Sequence, residues 1–175
     1  MHIIIGVLGA VAAIIFYLSR ISRGASDLAD AANEIGNLPR KMRHRRKAGK
    51  KGIDLVSSPI EAACILMISI ARLDKFGRVT DDQADAIARE LTRNMQLDAD
   101  YAEDLIIQMR SLSHNLVQPE STLFPMIKVL QNNISKTDAR ALSGMMREIA
   151  NTENTINTSQ KDFIRRFEER MGLLS

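Results

Sequence analysis

Tryptophan is absent, and Phe and Tyr together supply only 4% of the 175 residues. A core without large rings must be built from Leu, Ile, Ala and Met, a palette that suits packed helices. Nine glycines and four prolines are too few for a succession of tight hairpins. The single cysteine, Cys64, excludes an intramolecular disulfide and fits a reducing compartment. It lies in the apolar run Ala62-Ala63-Cys64-Ile65-Leu66-Met67 without a neighbouring base or cation, so it reads as a buried structural thiol. His114, in Ser113-His114-Asn115, has no Cys or second His near it and reads as a solvated or capping residue rather than a ligand. There is no Gly-rich phosphate loop and no Gly-x-Ser-x-Gly elbow. No catalytic constellation can be assembled, and the expectation is that the protein is not an enzyme.

What the chain does have is a strong division of charge. Residues 1–51 carry ten Lys and Arg against three Asp and Glu, a net +7, while residues 52–175 carry fourteen against eighteen, a net −4. The overall basicity therefore belongs to one end and does not make the protein a nucleic-acid binder as a whole.

Residues 3–18 are uncharged and nearly all apolar, with Ile3, Ile4, Ile5, Val7, Leu8, Val11, Ile14, Ile15, Phe16, Tyr17 and Leu18 as the apolar body. Positive charge follows at Arg20 and Arg23 rather than preceding, and Phe16-Tyr17-Leu18 is a poor cleavage approach. Residues 1–23 are therefore expected to form an uncleaved single transmembrane helix, at the short end for a bilayer. The flanking charges place the N-terminus outside the inner (plasma) membrane and the main domain in the cytoplasm. Gly6, Gly9, Ala10 and Ala13 set small residues four apart, a spacing that lets two helices meet as a homodimer.

Residues 24–52 read as a juxtamembrane helix and basic neck. Leu28, Ala32, Ile35, Leu38 and Met42 recur at helical spacing, interrupted by Pro39. Arg40, Lys41, Arg43, Arg45, Arg46, Lys47, Lys50 and Lys51 then crowd into twelve residues. Just inside a membrane, such a run suits anionic lipid head groups, at roughly 1 kcal/mol per basic residue. Nucleic acid ranks below lipid as a partner, because no aromatic residues interleave the run to stack bases.

Residues 53–175 read as an all-α, compact bundle of about six helices. Ser58-Pro59-Ile60-Glu61 is a capping box with Pro at the first helical position, opening a helix to about Leu73 with Ala62, Ile65, Leu66, Ser69 and Leu73 on one stripe. Thr80-Asp81-Asp82-Gln83 opens a second, Asp98 a third, and a fourth spans residues 121–132 with Pro125 in its first turn. Ser135-Lys136-Thr137-Asp138 caps a fifth, and the last runs from Thr158 to a stop at Gly172. Met145 and Met146 sit mid-helix and read as core. The turn in Ile70-Ala71-Arg72-Leu73-Asp74-Lys75-Phe76-Gly77-Arg78-Val79-Thr80 returns, two residues shorter, in Ile149-Ala150-Asn151-Thr152-Glu153-Asn154-Thr155-Ile156-Asn157.

This doubled pattern of apolar helix, acidic turn and capped helix over residues 59–173 resembles the tellurite-resistance TerB-like domain. The arrangement also resembles the N-terminal part of membrane-anchored DnaJ-like co-chaperones, where a short anchor precedes such a domain. The resemblance implies a link to chaperone or stress-response assemblies and acidic turns offered to a metal ion. A J domain would need His-Pro-Asp, which the chain lacks. Its turns also depart from the family's Asp-Gly pattern. The candidate ligands for a divalent cation such as calcium are Asp74, Asp81, Asp82 and Glu153. Counting from Asp74, positions three, five, six and twelve are Phe76, Arg78, Val79 and Asp85, which is not an EF-hand. Asp81 and Asp82 are also explained as first-turn charges favoured by the helix dipole. Three functions follow. The first is a membrane-anchored, cytoplasm-facing adaptor for an unknown protein partner. The alternatives are a divalent-cation-responsive sensor and a nucleic-acid tether acting through the neck.

Overall fold

The computed structural model describes Gly49, residues 51–74 and residues 76–174. The expected transmembrane helix and nearly all of the basic neck lie outside the described residues. Among the described residues, no helix is long and apolar enough to cross a membrane.

Six α-helices are present among the described residues, and no strand: α1 (Pro59–Arg72), α2 (Asp81–Met95), α3 (Ala99–Ser113), α4 (Leu123–Leu130), α5 (Lys136–Ala150) and α6 (Thr158–Arg170). Short 3-10 turns at Gly52–Leu55 and Pro119–Thr122 precede α1 and α4. The starts follow the expected chemistry. Ser58 Oγ accepts from the Glu61 amide at 3.2 Å, and Glu61 Oε2 accepts from the Ser58 amide at 3.0 Å. Equivalent boxes form at Thr80/Gln83, Ser135/Asp138 and Asn157/Gln160. Each satisfies amides that a helix N-terminus otherwise leaves without partners. At the far end of α6, Gly172 adopts φ +65, and the Leu173 amide donates to the Glu168 carbonyl at 2.9 Å. That is a Schellman closure, which glycine enters without Cβ strain.

The packing corrects the expectation for α1. Residues 61 to 71 are buried without exception, not along one stripe. α1 is the axis of the bundle, with α2, α3, α4, α5 and the 3-10 turn before α4 all packed on it. Polar groups on such a helix need internal partners. Ser69 Oγ meets the Ile65 carbonyl and Thr122 Oγ1, each at 2.8 Å. The other helices are amphipathic, as periodicity predicts. α2 buries Ile87 and Leu91, α3 Leu105, Ile106 and Met109, α5 Leu142, Met145, Met146 and Ile149, and α6 Phe163, Ile164 and Phe167.

Two smaller corrections concern ends. The fourth helix begins as a 3-10 turn and its α-helical part stops at Leu130, not residue 132. Pro125 has no amide to donate to the Ser121 carbonyl four residues back, which delays the start of the regular ladder. The 3-10 turn at Gly52–Leu55 was not expected. It carries Leu55 and the following Val56 into the core, so the bundle's apolar contacts begin at the boundary with the neck.

Candidate functional site

The C-terminal end of α1 meets the N-terminal ends of α2 and α6 at a joint between the two turns. α1 leaves its last carbonyls without helical partners. α6 supplies them. Asn157 Nδ2 donates to the Leu73 carbonyl at 2.9 Å, and Gln160 Nε2 donates to the buried Ile70 carbonyl at 3.1 Å. The same two side chains also close their own capping box: Asn157 Oδ1 accepts from the Gln160 amide at 2.9 Å, and Gln160 Oε1 from the Asn157 amide at 3.1 Å. An amide has both an acceptor oxygen and a donor nitrogen, so each can cap two helices at once. A Ser-and-Glu box, as at Ser58, offers no equivalent pair of donors.

The other copy answers with its own cap. The Thr80 hydroxyl accepts from the Gln83 amide at 3.3 Å and donates to a Glu153 carboxylate oxygen. Asn154 Nδ2 reaches Asp74 Oδ2 at 3.5 Å. Arg72 extends the network sideways, with its guanidinium donating to the Ser113 carbonyl at 2.8 Å and the Leu116 carbonyl at 2.7 Å. A cation at the C-terminal ends of α1 and α3 complements both helix dipoles.

The structure thus brings Asp74 and Glu153 into one joint, each against a residue of the opposite turn. Asp81 and Asp82 are exposed on the first turn of α2, where the dipole favours them. Among the described residues, no three His, Cys, Asp or Glu side chains are grouped to hold a metal ion. Of the Lys and Arg residues of the basic neck, only Lys51 is described, and it is exposed. His114 is exposed beside Asn115. Cys64 is fully buried, and burial, with Glu61 nearby, pushes its thiol far above the ordinary range, so it carries no thiolate at neutral pH. Burial, aided by Glu61 and Cys64, likewise pushes the Tyr101 phenol up to about 12.

Sequence reasoning placed the two turns as repeats but missed the amides that join them. The signal was there in part: Asn157 and Gln160 stand where a Ser and Glu would suffice for capping alone.

A second polar cluster lies between α5 and α6. Glu168 Oε1 accepts from Ser143 Oγ at 2.5 Å and from Arg147 Nη2 at 2.7 Å. Partial burial raises the Glu168 pKa, but these two donors and the Arg147 charge outweigh it and hold the carboxyl below its ordinary value. Arg140, Gly144, Leu173 and Leu174 complete an open depression of about 320 Å³ around the pair.

No curated protein and no solved structure matches the chain. The family description of tellurite resistance protein TerB matches residues 60–174, which spans α1 to α6 and both turns of the joint. With the doubled helix–turn–helix and its cross-capped joint inside that match, the chain belongs to the TerB family.

Proposed function

We propose that this protein is a membrane-anchored adaptor whose helical bundle presents a protein-binding surface to the cytoplasm, within a stress-response or chaperone-linked assembly. The observation that carries the reading is the polarity of the bundle's surface. Residues 78–117, containing α2 and α3, hold eight Asp and Glu against four Lys and Arg, whereas residues 118–174 hold seven against eight. The acidic half also exposes Ile107, at 66% of its surface. An acidic surface with an apolar side chain within it suits a basic, partly apolar protein partner. The turn joint supports the same reading, because its polar groups are engaged with one another and hold the helices in fixed register.

Membrane fractionation of the intact chain tests the anchor: full recovery in the soluble fraction would sink it. Co-purification of the intact chain tests the surface. Asp100→Lys with Asp104→Lys on α3 should abolish capture of a partner that the parent retains, with the bundle still folded by circular dichroism.

One observation favours a second reading, a cation-responsive sensor. Asp74 and Glu153 come from different repeats and each hydrogen-bonds across the same joint, to Asn154 and Thr80, so an ion taken by either carboxylate would act on the contact between the turns. Isothermal calorimetry of the intact chain with calcium, against Asp74→Ala, decides it; no heat at millimolar ion rejects it.

A further inference from the structure

We infer that the exposed face formed by α4 and the end of α6 is a second, peripheral contact with an anionic lipid surface, which lays the bundle on the membrane and turns the acidic α2–α3 half outward. The inference rests on the anchored reading above and adds the orientation of the domain.

The 3-10 turn Gly52–Leu55 lies beside this face and also packs on α3. Ile53, Asp54 and Val56, immediately after the basic neck, line an open groove with Pro125, Met126, Lys128 and Val129 of α4. Phe124 and Lys128 are both exposed, and stand one helical turn apart. Phe124 is 49% exposed in a protein with few aromatic residues, and the Arg170 guanidinium lies 5.0 Å from its ring centroid. Gln131 Nε2 donates to the Arg170 carbonyl at 3.2 Å, fixing the end of α6 against α4. Lys136 lies beside Gly172, just past the end of α6.

Exposed Phe with flanking Lys and Arg is the chemistry of an interfacial contact: the ring enters the head-group boundary and the cations meet lipid phosphates and carboxylates. Asp54 is the carboxylate that opposes this charge in the groove. The acidic α2–α3 half would be repelled by the same surface. Charge therefore selects this orientation, with the exposed Phe124 ring on the side that meets the lipid.

The absence of Trp provides the test. Intact Phe124→Trp protein is reconstituted into vesicles of phosphatidylserine and phosphatidylcholine containing brominated lipid, with Ile107→Trp on α3 as the comparison. The expected result is blue-shifted, quenched emission for Phe124→Trp and unquenched emission for Ile107→Trp. Adding Lys128→Glu and Arg170→Glu to Phe124→Trp should remove the quenching, as should vesicles of phosphatidylcholine alone. Unquenched Phe124→Trp emission in protein that floats with the vesicles overturns the orientation while leaving the anchor intact. Equal quenching of both probes, or quenching indifferent to phosphatidylserine, overturns it as well. Burial of the Phe124→Trp probe against a second copy, seen as cross-linking with no lipid quenching, assigns the face to a dimer instead. Protein that does not float with vesicles refutes the anchored reading and the inference together.

Discussion

The two helix–turn–helix copies, α1–α2 and α5–α6, share their local chemistry and differ in burial. Aligned on Ala71 and Ala150, Glu61, Ile65, Ile68 and Ser69 of α1 correspond to Arg140, Gly144, Arg147 and Glu148 of α5. The α1 residues are all buried and the α5 residues are all exposed. One copy thus supplies the axis of the bundle and the other a wall. The second helices keep burial and change chemistry at one point. Aligned on their caps, Glu90 of α2 stands where α6 has Phe167, which is fully buried. A repeat can keep its caps and turn while its faces are rewritten, because capping is local and burial depends on what packs alongside.

The strongest way to break this comparison is to exchange the buried and exposed residues. Ile68→Arg places an unpaired charge in the axis, which should cost more than about 4 kcal/mol and leave the bundle unfolded. Arg147→Ile, the reverse exchange on α5, should cost less than about 1 kcal/mol, the usual worth of an ion pair with one exposed partner. Circular dichroism and urea titration separate the two; comparable losses would show that α5 is as central as α1.

Next comes the joint. Gln160→Ala removes the shorter of two donors to the buried Ile70 carbonyl, the Leu73 amide remaining, as well as one half of a capping box, and should destabilise by about 2 kcal/mol. Gln83→Ala, its counterpart in the first copy, should cost about 1 kcal/mol, the capping contribution alone. Equal losses in denaturant titrations would remove the special role given to the second amide pair.

Glu90 gives the pH dependence. Burial raises its pKa, Glu148 adds to this, and Arg93, Asn94 and Arg89 oppose it. Folded Glu90 therefore holds its proton more tightly than the unfolded chain does. Ionisation opposes folding, a penalty absent below the unfolded-chain value of about 4.3 and present once pH exceeds the folded value. Glu90→Gln, which keeps an acceptor for the Asn94 amide at 2.6 Å, should raise Tm at pH 7 and lose that advantage near pH 4. A pH-independent difference would assign the effect to packing.

The mildest test is Gly144→Ala. An added Cβ there meets nothing within 4 Å, and Ala in a helix interior is better than Gly by about 1 kcal/mol. A modest rise in Tm is expected, measured by differential scanning calorimetry. A fall would mean that the bare helix surface at Gly144 is in contact with something.

The caps show why much of the fold was legible in the sequence. Ser58, Thr80, Asp98 and Ser135 each act on amides two or three residues away, so a short stretch of sequence is enough to reveal them. Gly172 belongs with them. The acidic turn residues were legible as residues but not as partners: Glu153 meets Thr80 and Asn154 meets Asp74 across more than seventy positions of chain. Asn157 and Gln160 were legible as caps only, since their second hydrogen bonds run to carbonyls of α1.

Sequence alone determined the all-helical class, the helix starts, the doubled turn and the split of charge between neck and bundle, because each follows from local spacing or composition. Tertiary structure alone decided that α1 is enclosed on every side and that the second turn caps the first. It also placed Phe124 beside Arg170. These are outcomes of packing between elements far apart in the chain, where burial and the pairing of leftover carbonyls are settled only by which neighbours arrive.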